Sequence, residues 1–311
     1  MRGQIKIFSF LMLMLVMSTF SFGQQLPQYT QWATHQFSIN PAHAGIKACV
    51  DIQTLYRTQW VGLNGAPKSG FVTLSVPLQA NRTAYLSARH GIGVKVETDK
   101  IGQFTTNRFN LAYAGHFNFS RDTRLSLGLS MGMMHFGYDQ SNSITIDPDP
   151  AVLSEASLVM PDATIGAWWN GANYYFGASI QNLMHSKWKG VGLDSRYRLQ
   201  TYINAGSKLK ITNDINLLSG ILFKIPTTGP LGVDANAIFD FKNVFGIGGG
   251  YRFTEAILGF MYFKINQQYL IQYSVDYVVS PLGRSFSHEI SFNFATCKSV
   301  TTGAIKTALF E

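Results

Sequence analysis

Apolar and polar positions alternate with a period of two along most of the chain. From Phe109 to Phe119 the odd positions carry Phe109, Leu111, Tyr113, Gly115, Phe117 and Phe119, and the even positions carry Asn110, Ala112, Ala114, His116 and Asn118. From Leu125 to Met133 the odd positions are Leu or Met and the even positions are Ser or Gly. Leu231–Phe241 sets an apolar row against Asp234, Asn236 and Asp240, and Tyr269–Tyr277 sets one against Gln272, Ser274 and Asp276. Successive side chains of a strand point to opposite faces, so each run predicts a strand with one apolar and one small or polar face. No helical period of useful length competes. About fourteen such segments start near residues 47, 69, 91, 104, 124, 163, 173, 198, 215, 231, 244, 256, 268 and 286. Their spacing, roughly 19 residues, suits tilted spans of ~10 residues plus a connection.

A water-soluble sandwich also alternates, with its apolar face inward. The polar rows separate the two cases. Solvent-facing strand positions are rich in Lys, Glu and Thr, whereas these rows hold Gly, Ser, Asn and Ala with isolated charges. Small residues crowd a barrel lumen; a soluble surface has no reason to avoid Lys and Glu. The fold expected is therefore an all-β, transmembrane, outer-membrane antiparallel β-barrel of about fourteen strands. Trp168, Trp169, Tyr174, Tyr251 and Tyr262 lie near strand ends and are expected in the interfacial girdles. Every second connection is tight: 120–123, Asn170-Gly171, 210–214, Lys242-Asn243 and Asn266-Gln267. The intervening ones at 58–68, 137–162, 182–195 and 280–285 are longer. Short periplasmic turns alternating with long outer loops are the outer-membrane pattern. Leu78–Arg89 and Thr254-Glu255 break it, one by being long and one by being short. An even strand count puts both termini on the periplasmic side.

Composition supports the same class. Charged residues make up 14% of the chain, against roughly a quarter in a soluble domain. Residues 1–23 read as a signal peptide: Arg2 and Lys6 precede the apolar run Ile7–Phe20, and the small residues Ser21 and Gly23 precede Gln24. Residues 24–45 form an irregular segment, a plug or a periplasmic contact. Residues 46–296 form the barrel and 297–311 a tail. The net charge is +8, and a basic excess remains without Arg2 and Lys6. It suits contact with anionic outer-membrane lipid rather than nucleic acid, because no basic cluster is interleaved with aromatics.

Catalytic and metal motifs are weak. Gly128-Leu129-Ser130-Met131-Gly132 matches a nucleophile elbow, but it sits inside a period-two strand where a strand-to-helix turn is needed. The glycines at 246, 248, 249 and 250 lack a following helix. The seven His residues are scattered without ligand spacing, so no metal, cofactor or enzyme activity is expected. Asp147-Pro148-Asp149-Pro150 falls in the longest outer loop, either a calcium site or a rigid solvated loop. Arg108, His116, Asp234, Asp240, Arg252, Lys264, Asp276 and Glu289 fall on polar rows and face the lumen. They either pair with one another or line a water-filled pore. Cys49 starts the first strand and Cys297 follows the last. In a closed barrel these ends are neighbours, so a disulfide across the seam is expected. Trp60, on a loop with Gly62, Gly65 and Pro67, is either a partner contact or an interfacial anchor.

Several strings resemble a known family. Gln25-Leu26-Pro27-Gln28-Tyr29-Thr30-Gln31, Ile39-Asn40-Pro41-Ala42-His43-Ala44-Gly45 and Leu55-Tyr56-Arg57-Thr58-Gln59-Trp60-Val61-Gly62-Leu63-Asn64-Gly65-Ala66-Pro67 are similar to the PorP/SprF family. Shorter matches follow at Tyr113–His116, Tyr273–Tyr277 and Ser287–Ile290. Departures are His43 where the family usually has Tyr, the stretch 33–36, and Gly115 in place of an aromatic. The resemblance implies an outer-membrane component of the type IX secretion and gliding system of Bacteroidetes. It implies binding of a secreted cell-surface protein through that protein's C-terminal domain, and contact with periplasmic secretion or motility components. Trp60, Asn64 and Pro67 on the outer loop, and Asn40 and Pro41 in the N-terminal segment, are the expected partner contacts. The rivals are a passive porin or hydrophobic-solute channel, and a soluble β-sandwich adhesin.

Overall fold

The computed structural model describes residues 26–47, 49–78, 88–120, 122–139, 157–184, 197–266, 268–279 and 285–297. Fourteen antiparallel strands close into one barrel. They are β1 (Asp51–Thr58), β2 (Lys68–Pro77), β3 (Arg89–Ile101), β4 (Phe104–Asn118), β5 (Arg124–Tyr138), β6 (Ser157–Asn170) and β7 (Tyr174–Gln181), then β8 (Gln200–Lys210), β9 (Ile215–Pro226), β10 (Gly232–Phe241), β11 (Phe245–Arg252), β12 (Ala256–Ile265), β13 (Tyr269–Val278) and β14 (Phe286–Ala295). β1 pairs with β14 in register, from Asp51 opposite Ala295 to Thr58 opposite His288. Closure leaves no edge strand, so every strand's backbone is paired on both sides within the hydrocarbon layer. Among the described residues no helix is long and apolar enough to cross a membrane; the chain crosses with strands.

Two strand starts differ from the sequence pattern. β1 begins at Asp51 rather than near 47, because residues 41–46 belong to the lumenal segment. β6 begins at Ser157 rather than near 163, with Pro161 inside the strand opposite Met133. β6 pairs with β7 from Ile165 onward, so the proline, which has no N–H to donate, stands outside that ladder.

The alternating rows take the expected faces. Phe109, Leu111, Met131, Met133, Phe239 and Ile271 are exposed on the outside, while Asn110, Ser130, Asp240 and Gln272 are buried inside. Trp168 and Tyr262 correct the girdle expectation: both point into the lumen, 3% exposed. Consecutive residues take opposite faces, so Trp169 and Trp168 cannot both meet lipid. The nucleophile-elbow string lies wholly within β5, and the four glycines lie within β11. The Asp147–Pro150 string, residues 1–23 and residues 298–311 lie outside the described residues. A second short connection on the long-loop side, Gly102-Gln103, joins the exception at 253–255; its turn is made by Gly102 at φ +59°. Lys242 and Asn243, both at positive φ, make the hairpin between β10 and β11.

The N-terminal segment lies inside the barrel. A short helix α1 (Gln36–Ile39) and a 3₁₀ turn (Pro41–His43) interrupt an otherwise irregular path. Trp32, His35, Ala42 and Ala44 are at most 1% exposed, and Tyr29, Phe37 and Ile39 are buried. Irregular backbone at membrane depth is tolerated here because protein surrounds it and satisfies its polar groups. Its apolar side chains pack against lumen-facing ones: Trp32 and Ile39 with Tyr202 and Leu222, and Phe37 with Ala112 and Ala114. Each large side chain so buried contributes about 1.5–3 kcal/mol.

Candidate functional site

The lumenal charges meet the plug at two levels. Near the long-loop mouth, three cations and three carboxylates form one chain across six strands. Arg57 reaches Asp276 at 2.7 Å and Glu289 at 3.1 Å. Arg252 joins Asp276 at 3.1 Å to Asp234 at 3.2 Å, and Lys224 ends the chain on Asp234 at 2.8 Å. Equal numbers of opposite charges keep a nearly water-free region close to neutral, which burial requires. The plug completes the network. Glu289 accepts from the backbone N–H of Thr30 (2.9 Å) and of Gln31 (2.7 Å). The Thr30 hydroxyl donates to Asp276 and accepts from Arg57 and Arg252. A neighbouring group links Tyr29 to Glu97, and Glu97 to Arg108 and Lys95. Phe37, Asn40, Lys95, Arg108 and Asp162 line a cavity of about 30 Å³, one water's share of liquid volume.

Towards the short-turn rim the contacts run through plug backbone and small residues. Lys95 donates to the Ser38 carbonyl, and Ser179 and Gln181 donate to the Ile39 carbonyl. Asn40 caps the 3₁₀ turn by accepting from Ala42 N–H at 3.0 Å, and its amide donates to the carbonyls of Ala167 and Ala178. His116 bonds the Ala44 carbonyl at 2.9 Å, and Arg89 and Arg124 both donate to that of Ile46. Gly91 and Gly128 let the plug come this close: a Cβ on Gly91 would strike the Ala44 carbonyl oxygen, and one on Gly128 the backbone of Pro41 and Ala42.

Two histidines hold the plug to the wall. His35 is fully buried, bonded to the Gln31 carbonyl and to Asn293. His43 packs edge-on against Trp168.

The predicted residues separate into two groups. Arg108, His116, Asp234, Asp240, Arg252, Asp276 and Glu289 all face the lumen and are buried; Asp240 accepts from Tyr262 and Asn216. Each is bonded to another lumenal side chain or to the plug. Lys264 also faces inward and bonds Asn243. Asn40 and Pro41 need correction as partner contacts: both are buried at the plug's base, because their polar groups close the turn against β6 and β7. Pro67 is also buried, its carbonyl accepting from Gln59. Trp60 is half-buried at φ +49°; its N–H and that of Val61 donate to Ser287 and Phe286, folding the loop onto β14. Positions 61–65 of that loop are exposed, among them Asn64 and, at just over 50%, Val61 and Leu63. Arg57, Glu97, Arg124 and Lys224 were not singled out in the sequence, although the first three sit on polar rows; Lys224 shares its row with Leu218 and Leu222, so its row carried no polar signal. The signal was alternation, as in Lys95, Glu97 and Asp99 against Val94, Val96 and Thr98.

Cys49 and Cys297 form a disulfide with Cα atoms 5.5 Å apart, bridging the β1–β14 seam at the short-turn rim.

Comparisons with known proteins fit this geometry. A family model described as "Type IX secretion system membrane protein PorP/SprF" matches residues 21–294. Curated protein sequences give no match. Solved structures with a similar fold include the toluene transporter TbuX of Ralstonia pickettii (TM-score 0.47, 9% identity, 84% of this chain and 93% of that one). A FadL homologue of Pseudomonas aeruginosa gives 0.45 at 11% identity, over 88% and 94%. The translocator domain of the autotransporter NalP from Neisseria meningitidis gives 0.39 at 11% identity, over 79% and 88%.

Proposed function

The chain belongs to the PorP/SprF family of type IX secretion system membrane proteins, and from that membership we propose that it is an outer-membrane docking barrel that anchors or presents a secreted cell-surface protein. In this reading the secreted protein's C-terminal domain seats on the long-loop mouth, and periplasmic secretion or motility components meet the short-turn rim. Family and fold are those of a secretion membrane protein rather than of an enzyme class. The observation that carries the reading is the filled lumen. A passive porin needs an aqueous path, whereas here the lumenal charges pair among themselves and with a segment of the same chain. Chemistry at the membrane is then left to the mouths. The loop 59–67 offers an apolar pair, Val61 and Leu63, beside Asn64 on a backbone held to β14. Covering these two aliphatic side chains removes apolar surface from water, which favours docking there.

The test is purification from native outer membranes through a C-terminal tag, with mass spectrometry of the co-purifying proteins. A large secreted surface protein recovered at near-equal amount supports the reading. Leu63→Glu is expected to lower that recovery while the barrel still assembles. A lone barrel with steady ion conductance in planar bilayers would overturn the reading in favour of a channel.

A further inference from the structure

The plug has a direction, fixed by contacts at both ends. Leu26 packs with Tyr202 and Leu222, and Leu26 and Gln28 share a small cavity with Gln200, Pro226 and Pro230. Gln200 and Pro226 are paired at the long-loop ends of β8 and β9, and Pro230 lies in the connection beyond them. Gln28 accepts from Lys224, and Thr30 and Gln31 sit at the charge network just below that mouth. The other end is equally fixed. Gly45 N–H donates to Ser75, the Ile46 carbonyl accepts from Arg89 and Arg124, and Lys47 pairs with Asp51 at 2.9 Å. These four partners lie at or near the short-turn ends of β2, β3, β5 and β1. Between the two ends, Tyr29, Ser38, Asn40 and Ala44 meet Glu97, Lys95, Ala167 and His116, in descending order along the barrel.

We infer that the protein threads its own barrel: the plug runs from the short-turn rim to the long-loop mouth, so that Leu26 lies at the cell-surface face. Strand parity puts both ends of the barrel at the periplasmic rim, but the plug adds a further crossing that parity does not count. The threading itself is independent of any partner, since it concerns only sidedness.

Site-selective labelling tests it on intact cells of the native host with a membrane-impermeant maleimide. The native cysteines are paired and silent. Three versions of the full chain are compared: Gly-Ser-Cys inserted between residues 25 and 26, Leu63→Cys in the loop 59–67, and Asp122→Cys in a short turn. Threading predicts that the insertion is labelled on intact cells together with Leu63→Cys, and that Asp122→Cys gains label only after the outer membrane is permeabilised. If the insertion instead behaves as Asp122→Cys does, or is unlabelled in both conditions, threading is wrong. A second variant, with a protease site in place of the tripeptide, reads the same question by loss of the amino-terminal peptide from intact cells. Retention of that peptide until permeabilisation would overturn the inference.

Discussion

At Glu289 one carboxylate accepts from two successive plug N–H groups and from Arg57, all out of water. Removing it leaves a buried guanidinium and two backbone donors short of a partner. Glu289→Ala is therefore expected to cost about 3–5 kcal/mol, the usual penalty for breaking a buried pair, and chemical unfolding in detergent would measure it. At Gly128 the constraint is steric. Gly128→Leu should push Pro41 and Ala42 off the wall and raise ion conductance in planar bilayers above that of the native barrel; unchanged conductance would mean the plug had adjusted without leaving.

The strands were legible as elements because each carries a two-residue period over eight or more positions, and lipid and lumen impose opposite demands on the two faces. Boundaries failed where a single residue has two readings. Pro161 disfavours a strand interior, yet it lies within β6, beyond the β6–β7 ladder that begins at Ile165. Trp168 is aromatic and near a strand end, yet it stacks on Tyr175 inside, with centroids 4.5 Å apart. The seam between first and last strands was legible from topology alone, since a closed antiparallel barrel makes neighbours of its ends. The disulfide Cys49–Cys297 spans 248 residues of sequence at that seam. Intact-mass analysis should show the oxidised protein about 2 Da lighter than the reduced one, and Cys49→Ser should lower stability by roughly 2–4 kcal/mol.

At the scale of the whole molecule, the protein is an outer-membrane barrel whose own amino-terminal segment occupies the space a porin leaves to water. Deleting residues 26–45 should convert it into a conducting pore, because the ion-pair network of Arg57, Arg252, Asp234, Asp276 and Glu289 would then face solvent without the plug. A deletion that assembles and still does not conduct would show that the strands close the lumen by themselves. The sequence by itself determined the class of solvent the chain lives in, the strand count and which row of each strand meets lipid. These follow from local periodicity and composition, which every strand carries on its own. The same sequence left open whether the lumenal charges line water or pair, whether residues 24–45 fill the barrel or leave it, and which of Trp60, Asn64 and Pro67 is exposed. Only the tertiary structure decided those points. They depend on which residues face one another across the barrel, and that follows from closure and register rather than from any residue's neighbours in sequence.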